Sequence, residues 1–197
     1  LYLRPLLIGT GAQVGVKPAS EYMLVVFATP VGPYFKEGFN CIKVLIDRDH
    51  DRAAPHGTGH VKVGGNYASS LWSGEAAHAA GFNNVLYLDP ATKTYIDECG
   101  AANFFGIKDG KYITPDSHSV LPSITNLSLR QIAQDIGLKV ENRQIEVDEL
   151  DTMEEAGACG TAAVISPMGT IHDNGTGKTY TFGDGRTAGP WSTKLYK

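Results

Sequence analysis

GHVKVGGNYASS, residues 59–70, sets a single lysine, Lys62, between two valines and ahead of Gly64, Gly65 and Asn66. If the segment is extended, Val61 and Val63 point away from Lys62 and anchor it, because side chains alternate along a strand. The glycine pair lets the backbone bend and leaves room above the amine. A lysine becomes a nucleophile when a dry pocket or a neighbouring cation destabilises its ammonium. A strand-end lysine in solvent is the plainer reading, and these twelve residues taken alone favour it.

The bulk properties limit what surrounds this segment. A chain of 197 residues can bury one good hydrophobic core, or one domain with part of another. The formal charge of -4, without any Lys/Arg run, excludes the basic stripe of a nucleic-acid binder. No apolar run approaches a membrane span; MLVVFA (23–28) is strand-sized. Cys41, Cys99 and Cys159 are odd in number and lack a CxxC pair, which points to a reducing, cytoplasmic setting rather than a disulfide framework or zinc site. The chain opens directly on LYLRPLLIG and closes on GPWSTKLYK, which reads as the start of a helix. It is expected to be a piece of a longer protein.

Moving outward from Lys62, NYASSLWSGEAAHAA (66–80) predicts a helix with Tyr67, Leu71 and the alanines on one side, stopped by Gly81. CIKVLI (41–46), NVLYLD (84–89), TYIDE, LKVENRQI, TAAVIS and KTYTF read as strands, and DELDTMEEA as a short helix. NFFGIKDGKYIT (103–114) is a hairpin turning on Asp109-Gly110. Ser123 or Thr125 caps a helix that runs through Ile136 to Gly137, with Ile124, Leu127, Ile132 and Ile136 as the expected buried side. TPVGPYFKEG is a turn-rich linker. Strands and helices mix without strict βαβ alternation, so the expected class is α+β or mixed α/β.

Several stretches imitate known sites. GTGKT (175–179) resembles a phosphate-binding loop, but His172 stands where its first glycine belongs and a strand follows instead of a helix. GTGAQVG (9–15) has Val14 in place of the third dinucleotide-binding glycine. DRDHD (47–51) alternates like a calcium loop, yet Arg52 occupies the sharp-turn glycine position. His50, His56 and His60 are separated by Pro55, Gly57 and Gly59, which fits a solvated loop better than a ligand face, and no metal is expected.

GHVKVGGNYASS resembles the lysine segment of the branched-chain amino acid aminotransferases, fold-type IV enzymes that use pyridoxal 5′-phosphate. LYLRPLLIGTG and TPVGPYF resemble segments upstream in that family; YIDECGAANFFG, LPSITNLSLRQIA and CGTAAVISPMGTI resemble segments downstream, in the same order. The resemblance covers essentially the whole chain. It implies that residues 1–35 are the end of a small N-terminal domain with its linker, and that 36–197 are most of a large cofactor-binding domain.

It also implies site roles. Lys62 would carry the cofactor covalently and then move the substrate's α proton. Glu98 would pair with the pyridine nitrogen, and Tyr67 would hydrogen-bond the ring's phenolate oxygen. Ile124 and Thr125, opening a helix, would offer N–H groups to the phosphate, with the Thr161 hydroxyl beside them. The N–H groups of Ala162 and Ala163 would meet the substrate carboxylate, and Tyr2, Arg4 and Tyr34 match residues that reach the substrate pocket. Without the resemblance, Glu98 reads as an exposed strand carboxylate, Tyr67 and the alanines as packing residues, and Arg4 as a loop cation.

The implied reaction is transamination of leucine, isoleucine and valine with 2-oxoglutarate by a homodimer, with ping-pong kinetics and no nucleic-acid or membrane partner. A D-amino-acid aminotransferase or an aminodeoxychorismate lyase remains open within the fold. So does an inactive module retaining only the cofactor domain. LYLRP, VGPYF and CGTAAVISP favour the branched-chain group. The CxxC thiol pair of the family's mammalian members is replaced here by Ala163 and Ser166, which implies that Cys99 and Cys159 are buried spectators.

Overall fold

The computed structural model describes residues 1–32, 39–162 and 164–197, and the chain divides into two compact units, Leu1–Lys36 and Glu37–Lys197. The first unit is a hairpin of β1 (Tyr2–Thr10) and β2 (Glu21–Thr29), paired antiparallel from Tyr2↔Thr29 to Thr10↔Glu21. β2 contains the MLVVFA run. Most of the linker stretch, 33–38, lies outside the described residues.

The second unit is built on a sheet that closes on itself. In chain order it contains β3 (Ile42–Asp47), α1 (Gly64–Ser69), α2 (Leu71–Ala79), β4 (Asn84–Leu88), β5 (Ile96–Cys99), β6 (Ala102–Lys108) and β7 (Lys111–Pro115). Then follow α3 (Ile124–Asp135), β8 (Lys139–Arg143), a 3-10 turn (Val147–Thr152), β9 (Glu155–Gly160), β10 (Val164–Asp173), β11 (Thr179–Thr181) and α4 (Pro190–Tyr196). β3, β4, β5, β6, β9 and β10 pair in a ring, because β9 bonds both β6 and β10. β7 and β8 extend from β6, and β11 extends from β10. The mixture of parallel pairs (β10–β3, β3–β4, β7–β8) with antiparallel ones makes this the mixed α/β class expected.

The Asp109-Gly110 hairpin forms with φ 50° and 68° at the two turn residues, the backbone that a two-residue turn requires. The GTGKT stretch lies between β10 and β11, with Gly177 at φ 73°, and is a turn between strands. β9 was not foreseen: EAGACG has no β-branched or aromatic residue, and its first residues read as part of a helix. Packing explains its composition. A Cβ on Gly157 would lie 2.6 Å from Cε1 of Phe105, so glycine lets this strand lie against a core phenyl ring.

Two helix readings need correction. The segment 66–80 is two helices broken at Ser70; Asn66, Ser73 and Ala77 are buried while Leu71 is 66% exposed. The Ser73 and Tyr87 hydroxyls bond to each other, and Ala77 packs with Val85 and Tyr87, so a polar contact beside a small apolar one seats α2 on the sheet. In α3 the buried residues are Leu129 and Ala133, packed with Phe105, Tyr112, Leu138 and Leu195. Of the expected stripe, Ile124, Leu127 and Ile132 are 76%, 50% and 38% exposed, while Ile136 is half-buried against this cluster. Both stripes satisfy a helical period; the contact of Tyr112 with Asn126 selects the Leu129 face.

Candidate active site

Lys62 lies in a bend ahead of α1, not in a strand, and is exposed. Its exposure matches the plainer of the two readings, although no strand forms here. Glycines at 57, 59, 64 and 65 favour turns here, and the Asn66 amide draws the chain round by donating to Thr58 O (2.7 Å) and Val61 O (2.8 Å). Val61 is 41% exposed and anchors nothing. The room foreseen above the amine exists: a Cβ on Gly64 or Gly65 would meet nothing within 4 Å. Lys62 Nζ lies 5.0 Å from the centroid of the half-buried Tyr67 ring, a cation–π distance that brings these two site residues together.

Glu98 is 3% exposed on β5, against the expectation of a solvent-facing strand carboxylate from the residues alone. Its Oε2 is 2.7 Å from Arg52 Nη2 and accepts the Leu121 N–H at 3.2 Å. Across the strand pair, Asn103 donates to Leu121 O at 2.9 Å, so the two ends of one residue's backbone are held by β5 and β6. Burial pushes the Glu98 carboxyl up to about 7, against the pull of the Arg52 guanidinium, the Leu121 N–H and the more distant Lys62 ammonium. Desolvation outweighs the ion pair because both partners have left water.

Arg52 had no assigned role in the sequence. It is 8% exposed, and its Nη2 also donates to the carbonyls of Ser119 and Gly59 (3.3 Å for the latter). Gly59 approaches closely enough that a Cβ there would clash with the Ser119 backbone, 2.8 Å from its Cα. One guanidinium therefore joins the Lys62 turn, the Glu98 strand and the 119–121 loop. Nothing in DRAAP marks it, since a charged loop residue is ordinarily solvated.

The 119–121 loop leads into α3. Ser123, not Thr125, is the cap, its hydroxyl accepting the Asn126 N–H at 3.3 Å. Asn126 in turn accepts from Tyr112 (2.8 Å) and donates to Thr114 (2.9 Å), which fixes the first turn to β7. The N–H groups of Ile124 and Thr125 lie in that turn, where a helix has no internal acceptors for them.

Thr161 and Ala162 form an exposed turn between β9 and β10, and Ala163 lies outside the described residues. Val164, next in sequence, has φ 59°; a β-branched residue there is strained, a feature that concentrates at functional sites. Tyr2 and Arg4 lie on β1 in the first unit, the Arg4 guanidinium 5.3 Å from the Tyr2 ring centroid. Tyr34 lies outside the described residues. Cys99 and Cys159 are buried, and burial pushes the Cys159 thiol up to about 12, so neither is a ready nucleophile. No helix among the described residues is long and apolar enough to cross a membrane.

Known proteins resemble this chain in sequence and in fold along nearly its whole length. The branched-chain-amino-acid aminotransferase of Haemophilus influenzae is 52% identical over 203 residues, covering 100% of this chain and 58% of that protein. The crystal structure of the Escherichia coli branched-chain amino acid aminotransferase superposes with a TM-score of 0.85 at 31% identity, over 99% of this chain and 63% of that one. The T.th. branched-chain amino acid aminotransferase with pyridoxamine 5′-phosphate has a TM-score of 0.79 at 27% identity, over 98% of this chain and 62% of that one. The chain thus spans about 60% of the length of the relatives it matches. The family model for amino-transferase class IV matches residues 1–171. The chain belongs to the class IV aminotransferases.

Proposed function

We propose that the protein carrying this chain is a pyridoxal 5′-phosphate-dependent branched-chain aminotransferase, transferring the amino group of leucine, isoleucine or valine to 2-oxoglutarate. The observation that carries this reading is the grouping of Lys62 and Tyr67 with the buried, Arg52-paired Glu98, whose loop leads directly into the free N–H groups of α3. These residues fit the cofactor: the hydrogen bonds to Glu98 among the described residues fall on Oε2, so Oε1 is available to a ring nitrogen. An anion suits the first turn of α3.

Bound there, the cofactor supplies an electron sink that stabilises a carbanion at the substrate Cα. The protein supplies the rest. Glu98 holds a proton between itself and the ring nitrogen, and Tyr67 fixes the ring's oxygen edge. Ile124, Thr125 and Thr161 hold the phosphate. Lys62 anchors the cofactor, and as a free amine it takes the α proton and returns it on the other side of the transfer. Ala162 and Ala163 would meet the substrate carboxylate with backbone N–H groups, and Tyr2, Arg4 and Tyr34 would line the substrate side. Residues 1–35 are read as the end of a small domain and 36–197 as the cofactor domain, in a cytoplasmic homodimer.

The names of the relatives support the branched-chain substrate class. The test is steady-state kinetics of the full-length protein with pyridoxal phosphate, L-leucine and 2-oxoglutarate. Parallel lines at varied second substrate, and turnover of leucine, isoleucine and valine well above that of D-alanine, are expected. Preference for D-alanine, or release of pyruvate from aminodeoxychorismate, would overturn the substrate assignment and leave the fold assignment in place.

A further inference from the structure

Arg52 forms the hub between three segments that the proposed chemistry needs in register. Its Nη2 is 2.7 Å from Glu98 Oε2, 3.3 Å from Gly59 O and within hydrogen-bond reach of Ser119 O. Its own carbonyl accepts the Ser69 hydroxyl of α1 at 2.8 Å, so backbone and side chain are tied to the Lys62 side of the site. A buried guanidinium with a single carboxylate partner would be costly as a mere packing element. Here all three contacts gather on Nη2, so one cationic nitrogen faces the carboxylate and both carbonyls at once.

We propose that Arg52 is a positioning residue for Glu98: it holds the Oε2 edge of the carboxylate in its ionised form, and so leaves Oε1 to face the pyridine nitrogen of the cofactor. This rests on the reading of Glu98 as the ring-nitrogen partner. The facing charges are few. Glu98 is acted on by Arg52 and Lys62 as cations and by Asp97, its neighbour on β5, as an anion; the Leu121 N–H supplies the remaining polar contact. Asp97 is 4% exposed and is itself pushed up by burial, which makes Arg52 the dominant charge on Glu98. An opposite charge in contact moves a carboxyl by about one to three pH units. Near neutrality that decides which form of Glu98 prevails.

The test is carbon-13 NMR titration of glutamate carboxyls in the cofactor-free, full-length protein, with Glu98 assigned by its loss in Glu98→Gln. Arg52→Gln removes the charge while leaving a polar, uncharged side chain, and is expected to raise the Glu98 midpoint by at least about one pH unit, roughly a tenfold fall in the ratio of carboxylate to acid. Arg52→Lys should restore most of the midpoint. A wild-type midpoint in Arg52→Gln would overturn the proposal. If Arg52→Gln does not fold, the wild type decides alone: the Arg52 guanidinium nitrogen resonances should move with the Glu98 titration, and their failure to do so would refute the pairing. Because no cofactor is present, these outcomes are separate from the failure of cofactor binding itself, which is read from covalent attachment at Lys62.

Discussion

Replacing Glu98 with glutamine gives a stability difference whose pH dependence has a fixed sign. In the unfolded chain a glutamate titrates near 4.5, whereas in the folded protein burial pushes Glu98 up to about 7. A raised carboxyl stabilises the fold fully below the unfolded value, and that contribution is lost as pH rises through the folded value. A rise of about 2.5 pH units, at about 1.4 kcal/mol each, is about 3.5 kcal/mol. Glutamine resembles the protonated acid in shape and keeps an oxygen for Arg52, but it does not titrate. The wild type should therefore lose about 3.5 kcal/mol relative to Glu98→Gln between about pH 4 and pH 8, with most of the loss between about pH 5 and 7. Urea denaturation of the cofactor-free proteins at matched pH reads the difference directly, and titrations shared by both proteins cancel. A wild type that instead gains stability over the variant as pH rises would show that the Arg52 pair outweighs burial.

Three further substitutions probe the frame around the site. Gly59→Ala drives a methyl group against the Ser119 backbone and should cost about 1–3 kcal/mol in urea denaturation while weakening pyridoxal phosphate affinity, since the Arg52 contacts to both loops must shift. Unchanged affinity would detach the Gly59 turn from the site. Ser123→Ala removes the α3 cap and should cost about 1 kcal/mol, read as a lower denaturation midpoint at constant slope. Gly157→Ala presses a methyl group into the Phe105 ring and should cost about 1–3 kcal/mol, partly recovered when Phe105→Leu is combined with it; additive losses would refute the packing explanation of β9.

What could be read from sequence follows the range of the forces involved. The 109–110 turn, the strands at 42–47 and 84–88 and the stop at Gly81 were legible because turn chemistry and alternation act over a few residues. β9 was not, because the glycine at its centre, Gly157, is set by Phe105, which is distant in sequence. The α3 face failed for the same reason: two helical stripes were apolar, and Tyr112 of β7 selects between them. At the site, Lys62, Tyr67 and Glu98 were named through ordered motifs, and their residue types alone favoured plainer roles. The exposed bend at Lys62 arises from the Asn66 side-chain hydrogen bonds, which no period encodes. Arg52 was invisible because its partners come from three separate segments.

The most direct measurement is borohydride trapping of the full-length protein with pyridoxal phosphate, followed by peptide mapping. A reduced adduct on the peptide containing Lys62, lost in Lys62→Ala, is the predicted result. An adduct on another lysine, or none at saturating cofactor, would contradict the assignment of Lys62 as the residue on which the chemistry turns.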